Sequence, residues 1–207
     1  MHKITLTFDN GPTPDVTPYV LDVLSERNLP AWFCLVGRQL MKDEAPALAK
    51  RALEAGHHLV NHSLTHQVPL GNDASVEHAT REIREMHELM ETSLGNWGEY
   101  WFRPFGRGGQ LGPHLFSQAA LNIFEELNYS ALLWNSVPRD WEDTNGWVET
   151  ALKDVEANEH TVVVLHDLPT GAMTQLPRFL DELERLNVLV TDALPADCIP
   201  IRKGIGV

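Results

Sequence analysis

Along this chain, short apolar or alternating runs repeatedly give way to polar or glycine-rich residues and then to a helical pattern. Ile4-Thr5-Leu6-Thr7-Phe8 alternates and predicts a strand. Thr17-Pro18 follows as an N-cap with proline in the first turn, leading into Val20, Leu21, Val23 and Leu24. Ala31 to Val36 predicts a second strand, Ala45 to Ala55 a second helix stopped by Gly56, and His58-Leu59-Val60 a short third strand. Ser75 is a cap for a long helix with Val76, Ala79, Ile83, Met86, Leu89 and Met90 on one face. Tyr100-Trp101-Phe102 predicts a strand, Pro113 to Leu127 a helix, Ser130 to Trp134 a strand and Trp147 to Ala157 a helix. Thr161 to Leu165 is the clearest buried strand; a helix near Leu176 to Leu186 and a strand at Val188 to Thr191 complete the series. Strands alternating with helices imply an α/β fold with a parallel sheet covered by helices. About seven such units suit a small or distorted β/α barrel in a single domain, 1–207, with an open doubly wound sheet as the alternative.

Composition narrows the classes. The 207 residues suffice for one domain with a substantial core, and 43% hydrophobic with 22% charged residues excludes wholesale disorder. A formal charge of −13 leaves no excess of Lys and Arg to neutralise phosphates, so neither nucleic acid nor an anionic membrane surface is an expected partner. No run approaches a membrane span, and Met1-His2-Lys3 leads directly into a strand without a signal-like segment. Cys34 and Cys198 form no close-spaced pair. A reduced, cytoplasmic setting is the expectation.

The candidate chemistry is positional. Asp9-Asn10, Asn61-His62, Arg103 and His166-Asp167 each follow a predicted strand directly. In parallel α/β folds such strand ends share one edge, where functional groups collect. His62-Ser63-Leu64-Thr65-His66 spaces two imidazoles four apart, which on a helical turn project to one side and can share a metal. Two of ten histidines on a surface is the plainer account of that spacing, and a third donor is needed for a catalytic site. Thr7-Phe8-Asp9-Asn10-Gly11-Pro12 can supply it, since Gly-Pro turns the chain sharply after the strand; a simple Asx turn is the competing reading. Arg107-Gly108-Gly109-Gln110 has the composition of a flexible rim rather than of a phosphate cradle.

Taken together, these segments resemble the polysaccharide deacetylase family, whose members include chitooligosaccharide and peptidoglycan deacetylases. The Thr-Phe-Asp-Asp-Gly-Pro motif is matched by Thr7 to Pro12 except at Asn10, and the His-Ser/Thr-x-x-His motif by His62 to His66. Arg103-Pro104-Phe105-Gly106 is similar to the family's third motif shortened by one residue. Trp134, Asp140 and Trp141 match the fourth, with Val137 in place of its first Asp, and Leu165-His166 matches the fifth. The resemblance implies a distorted barrel and hydrolytic removal of N-acetyl groups from carbohydrate, either chitooligosaccharide-like or another soluble N-acetylated sugar. It implies Asp9 as general base, Arg103 as its charge partner, and His166 as the acid protonating the leaving amine, with Asp140 orienting it. Asn10, His62 and His66 would hold one divalent metal ion, zinc first, with cobalt, nickel or iron also suited to the donors. A backbone N–H near Phe105 would help at the oxyanion, and Phe105, Trp134, Trp141 and Leu165 are the candidate substrate contacts, with Trp101 a further stacking face. A neutral amide at position 10 predicts weaker metal binding with turnover retained. Two other functions remain open: a sugar-binding or regulatory protein without turnover, and an amide hydrolase acting on a non-sugar metabolite.

Overall fold

The structure is a computed structural model that describes residues 1–206; Val207 lies outside the described residues. The chain runs β1 (Lys3–Asp9), α1 (Thr17–Glu26), β2 (Trp32–Leu35), α2 (Gly37–Leu40), α3 (Ala45–Glu54) and β3 (His58–Asn61). Next come α4 (Val76–Ala79), a π-helical turn (Thr80–Glu85), α5 (Met86–Leu94), β4 (Trp101–Phe102), α6 (Gln118–Leu127) and β5 (Ser130–Ala131). The last part holds α7 (Trp147–Ala157), β6 (His160–His166), α8 (Leu176–Arg185), β7 (Leu189–Val190), β8 (Ile201–Arg202) and β9 (Ile205–Gly206).

The strands build one curved, mostly parallel half-barrel sheet in the order β6-β1-β2-β3-β4-β5-β8-β9, with β7 on the first residues of β1. β1 to β7 are the seven parallel strands expected from the pattern. β8 and β9 add to that expectation. They form a two-residue antiparallel hairpin, too short for periodicity to reveal, turning through left-handed Lys203 (φ 48°) and Gly204 (φ 80°). The sheet does not close by strand pairing. A single parallel bridge, Ser136 to Val163, ties the segment after β5 back to β6. No helix of the described residues is long and apolar enough to cross a membrane.

Period-two alternation sorts the strand residues into two layers. Ile4, Leu6 and Phe8 of β1 and Val163 and Leu165 of β6 face the helices, packing with residues such as Leu21 of α1, Val155 of α7 and Phe179 of α8. The other face carries Trp32, Cys34, Val60, Trp101, Trp134, Val162 and Val164, a second apolar layer inside the curve. α8 shows why these helices form: Leu176, Phe179, Leu180 and Leu183 fall at i, i+3, i+4 and i+7 and are all buried. Each such side chain contributes roughly 1.5–3 kcal/mol on leaving water.

Several local expectations are corrected. Thr17 does not cap α1, since Val16 occupies that position; Thr17 Oγ1 instead donates to Asp167. Ser75 caps its helix as expected, accepting from the His78 N–H, but the π turn breaks that helix after one turn, and Val76 is left exposed. The stretch from Pro113 divides into a short 3-10 turn and α6, because Phe116 and Ser117 are extended and Ser117 accepts from the Ala120 N–H. Leu165 cannot touch a ligand inside the curve, because alternation places it on the helix side, fully buried. Trp101 lies at the opposite pole, where the first residues of β2, β3 and β4 frame a separate hollow of about 540 Å³.

Candidate functional site

The same alternation carries the polar residues. Thr5, Thr7 and Asp9 on β1, Val162, Val164 and His166 on β6, and Val60 then His62 after β3 follow one inward-facing register. Each run ends at the C-terminal edge of the sheet, with Asp9, His166 and His62. There, Asp9, Asn10, His62, His66, Phe105, Trp134, Trp141 and His166 line one open cleft of about 370 Å³, with Arg107, Gly109, Val137, Val164 and Leu168. Arg103 and Asp140 lie fully buried behind this surface.

Asp9 is nearly buried, between the Arg103 guanidinium and the His62 ring. Nη1 of Arg103 is 3.5 Å from each of its carboxylate oxygens, and Nε2 of His62 is 3.5 Å from Oδ2. Burial would raise the Asp9 pKa, but Arg103, and after it His62 and His166, outweigh that and hold the carboxyl below its ordinary value. Arg103 also donates to Thr7 Oγ1 at 3.2 Å and lies 5.3 Å from the Trp134 ring centroid. Removing one member of a buried pair of this kind costs roughly 3–5 kcal/mol, because the other charge is left uncompensated.

His166 is clamped at two points by one carboxylate. Asp140 accepts from its backbone N–H at 2.9 Å and pairs with its Nδ1 at 2.7 Å. That engagement leaves Nε2 as the free nitrogen, with Trp141 edge-on to the ring at 4.9 Å. Burial alone would lower the His166 pKa; the hydrogen bond and charge of Asp140, helped by Asp9 and Asp167, raise it.

The two histidines after β3 converge, but not through a helical turn. Their loop is irregular, with Ser63 (φ 71°) and His66 (φ 55°) in left-handed conformations, and it brings the rings to 4.8 Å between centroids. The His62 Nδ1–H donates to the Arg103 carbonyl at 2.7 Å; since a carbonyl only accepts, Nε2 keeps its lone pair on the cleft side. The His66 ring stacks on Phe105 at 3.9 Å, and burial, then His62, lowers its pKa to about 3, so it is a neutral donor near pH 7.

Asn10 adopts a left-handed φ of 76°, which Asn tolerates well, and its Oδ1 is buried without a hydrogen-bond partner. An orphaned amide oxygen lining the same cleft as two imidazoles with free nitrogens is chemically suited to a divalent metal, and the residues fit one. Among the described residues, no three His, Cys, Asp or Glu groups gather for that purpose; the set depends on the amide.

The rim is pinned rather than loose. Gly109 C=O accepts from Trp134 Nε1 at 2.7 Å, Gly108 C=O accepts from Arg139 at 3.2 Å, and Arg139 covers Trp141 at 5.0 Å. Sequence reasoning gave no role to two buried groups, Cys34 and Asp167. The Cys34 thiol beside Asp9 has a raised pKa from burial, then Asp9. Asp167 accepts from Thr17 Oγ1 and has a pKa raised to about 6 by burial, although the Thr17 bond opposes this. Asp167 stands out in the sequence only as the polar residue directly after His166, and alternation turns it to the opposite face.

The chain belongs to the polysaccharide deacetylase family, whose model matches residues 1–132. It is 27% identical over 182 residues to the peptidoglycan-N-acetylglucosamine deacetylase of Listeria monocytogenes, covering 88% of this chain but only 36% of that protein's length. With the peptidoglycan-N-acetylglucosamine deacetylase of Bacillus cereus it shares 32% identity over 168 residues, 79% of this chain and 72% of the relative. The fold matches a Streptomyces lividans family 4 carbohydrate esterase in complex with acetate (TM-score 0.75, 20% identity, 98% of each chain). It also matches a family 4 pseudoenzyme from Bacillus anthracis (TM-score 0.73, 18% identity, 92% of this chain and 66% of that one).

Proposed function

We propose that residues 1–207 act as a metal-dependent carbohydrate N-deacetylase working on short, soluble N-acetylglucosamine oligomers or a related N-acetylated sugar. The observation that carries this reading is one cleft offering a depressed carboxylate at Asp9, a proton-holding imidazole at His166, and an unmatched amide oxygen at Asn10 with two neutral histidines. Asn10 Oδ1, His62 Nε2 and His66 would hold one divalent cation, with zinc first and cobalt, nickel or iron as alternatives; when bound, it supplies a Lewis acid toward the acetamide carbonyl.

The protein's own groups do the rest. Asp9 takes a proton from water as its oxygen adds to the carbonyl carbon. Arg103 keeps Asp9 ionised and oriented for that step. His166 Nε2 gives a proton to the departing nitrogen as the C–N bond breaks, releasing acetate and a free amine, and Asp140 keeps the imidazole charged and aimed. The Phe105 ring, Trp134 and Trp141 form the walls that orient the sugar, and a backbone N–H near Phe105 helps to stabilise the oxyanion. Two unpaired, buried cysteines suit a reducing, cytoplasmic setting.

Acetate release from acetylated chitooligosaccharides after zinc or cobalt loading tests the proposal. Release is expected, with Asp9→Asn and His166→Ala each losing on the order of 10²-fold or more. A metal-loaded protein that binds the oligomers and yields no acetate overturns it. The second reading, a sugar-binding protein without turnover, is favoured by one observation: an amide stands at position 10 where the family motif has a carboxylate.

A further inference from the structure

The loop that carries His62 and His66 has no regular structure of its own, so something outside it must fix the two rings. The Ser63 and Leu64 carbonyls accept from the Gly37 and Arg38 N–H groups of α2 at 3.0 and 2.9 Å, and the donors of Leu64 and Thr65 all turn to one other place. The Leu64 N–H donates to the Glu82 carbonyl at 3.1 Å, the Thr65 N–H to Glu82 Oε2 at 2.9 Å, and Thr65 Oγ1 to Glu82 Oε1 at 2.8 Å. Just before the loop, Asn61 Nδ2 donates to the Ile83 carbonyl at 3.0 Å, while its Oδ1 accepts the Ser63 N–H at 3.0 Å. Glu82 and Ile83 both belong to the π turn. In an unbroken α-helix their carbonyls are each committed to an N–H four residues on; the wider i to i+5 turn loosens that ladder and lets main-chain oxygens accept from outside.

The Glu82 side chain is itself 0% exposed. A fully buried carboxylate is rare and costly unless its oxygens are satisfied. Apart from the half-exposed Arg81, 3.2 Å away through Nε, both side-chain bonds of Glu82 go to Thr65, the residue immediately before His66. An apolar residue would fill a helix position of this kind more cheaply; a carboxylate here serves the loop.

We infer that Glu82 is a positioning residue for the His62/His66 pair, and that the π turn is the cradle that holds their loop in register. The inference rests on the reading of that pair as metal ligands. Outer-shell partners of metal ligands typically govern affinity by 10- to 100-fold.

The test compares Glu82→Leu, which removes both acceptors, with the conservative Glu82→Gln and with Thr65→Val. Zinc affinity is read by competition with a chromophoric chelator, and protection of the Thr65 amide by hydrogen exchange. Roughly ten- to hundredfold weaker zinc binding is expected for Glu82→Leu, a smaller loss for Glu82→Gln, and faster exchange at Thr65 in both. A merely structural role would shift the melting temperature and leave zinc affinity in the folded protein unchanged. If Glu82→Leu does not fold, the other two variants decide. Wild-type zinc affinity in folded Glu82 variants overturns the inference. Should the unmodified protein bind none of zinc, cobalt, nickel or iron, the proposed function fails, and Thr65 exchange alone then decides: loss of protection supports the cradle, unchanged protection refutes it.

Discussion

At the scale of single residues, the cleft depends on groups whose ordinary behaviour has been bent by their neighbours. Asn10 is the plainest case, with a buried amide oxygen and nothing among the described residues to satisfy it. Replacing it with Asp adds a negative ligand, so zinc should bind on the order of tenfold more tightly, since ligand charge is a main lever on cation affinity. The metal-free variant should melt at a lower temperature, because a second carboxylate then sits next to Asp9; zinc should restore more stability than in the unmodified protein. Calorimetric titration showing no gain would remove position 10 from the ligand set. His166 behaves in the opposite sense. Its pKa is raised in the fold, so its pairing with Asp140 contributes stability that is full below the ordinary value of 6.5 and is lost as pH rises through the raised value. A proton donor with a raised pKa also keeps its proton further into the alkaline range. Asp140→Asn removes the charge that sustains it, so the alkaline limb of the rate profile should move to lower pH. A limb that stays in place would mean that another group is the acid.

At the scale of elements, the strands are legible in the sequence and the helix limits less so. Strand positions come from alternation, a signal contained within each segment, and the polar residue that ends each alternating run stands out for the same reason. Faces are harder to read: Leu165 adjoins His166 in sequence, yet period two sends it to the helix layer. The His62/His66 spacing suggests a helical turn, whereas two left-handed residues produce the approach, and their partners lie in a distant π turn. Such partners belong to tertiary contacts that no local window contains. Helix α6 shows the limit of periodicity, because the apolar pattern runs through Pro113 while the helix waits for Ser117. If that hydroxyl sets the boundary, Ser117→Ala should cost about 1 kcal/mol in denaturant unfolding, the usual worth of an N-cap. An unchanged midpoint would assign the boundary to the packing of Phe116 instead.

At the scale of the whole molecule, the cleft requires that the curved sheet hold His166 on β6 close to the segment after β5 that supplies Trp134, and no continuous strand pairing does so. The seam is a few bonds centred on Asn135 and Ser136. The Asn135 side chain accepts the Val162 N–H at 2.7 Å and donates to the His160 carbonyl at 2.9 Å, and the Ser136 carbonyl takes the Val164 N–H at 3.0 Å. Val162 is fully buried, so the amide of Asn135 stands where a neighbouring strand would otherwise satisfy the backbone. Asn135→Ala leaves a buried N–H and a carbonyl without partners, and should therefore cost roughly 1–3 kcal/mol, far more than the loss of a surface amide. The cost should be localised: hydrogen exchange at Val162 should quicken, while the β1–β2 ladder on the far side of β6 keeps its protection. Because β6 ends in His166, a loosened seam should also lower turnover without changing zinc affinity, whose donors follow β1 and β3. Equal loss of protection across the whole sheet would mean that the curve is held by its layers of side chains rather than by this seam.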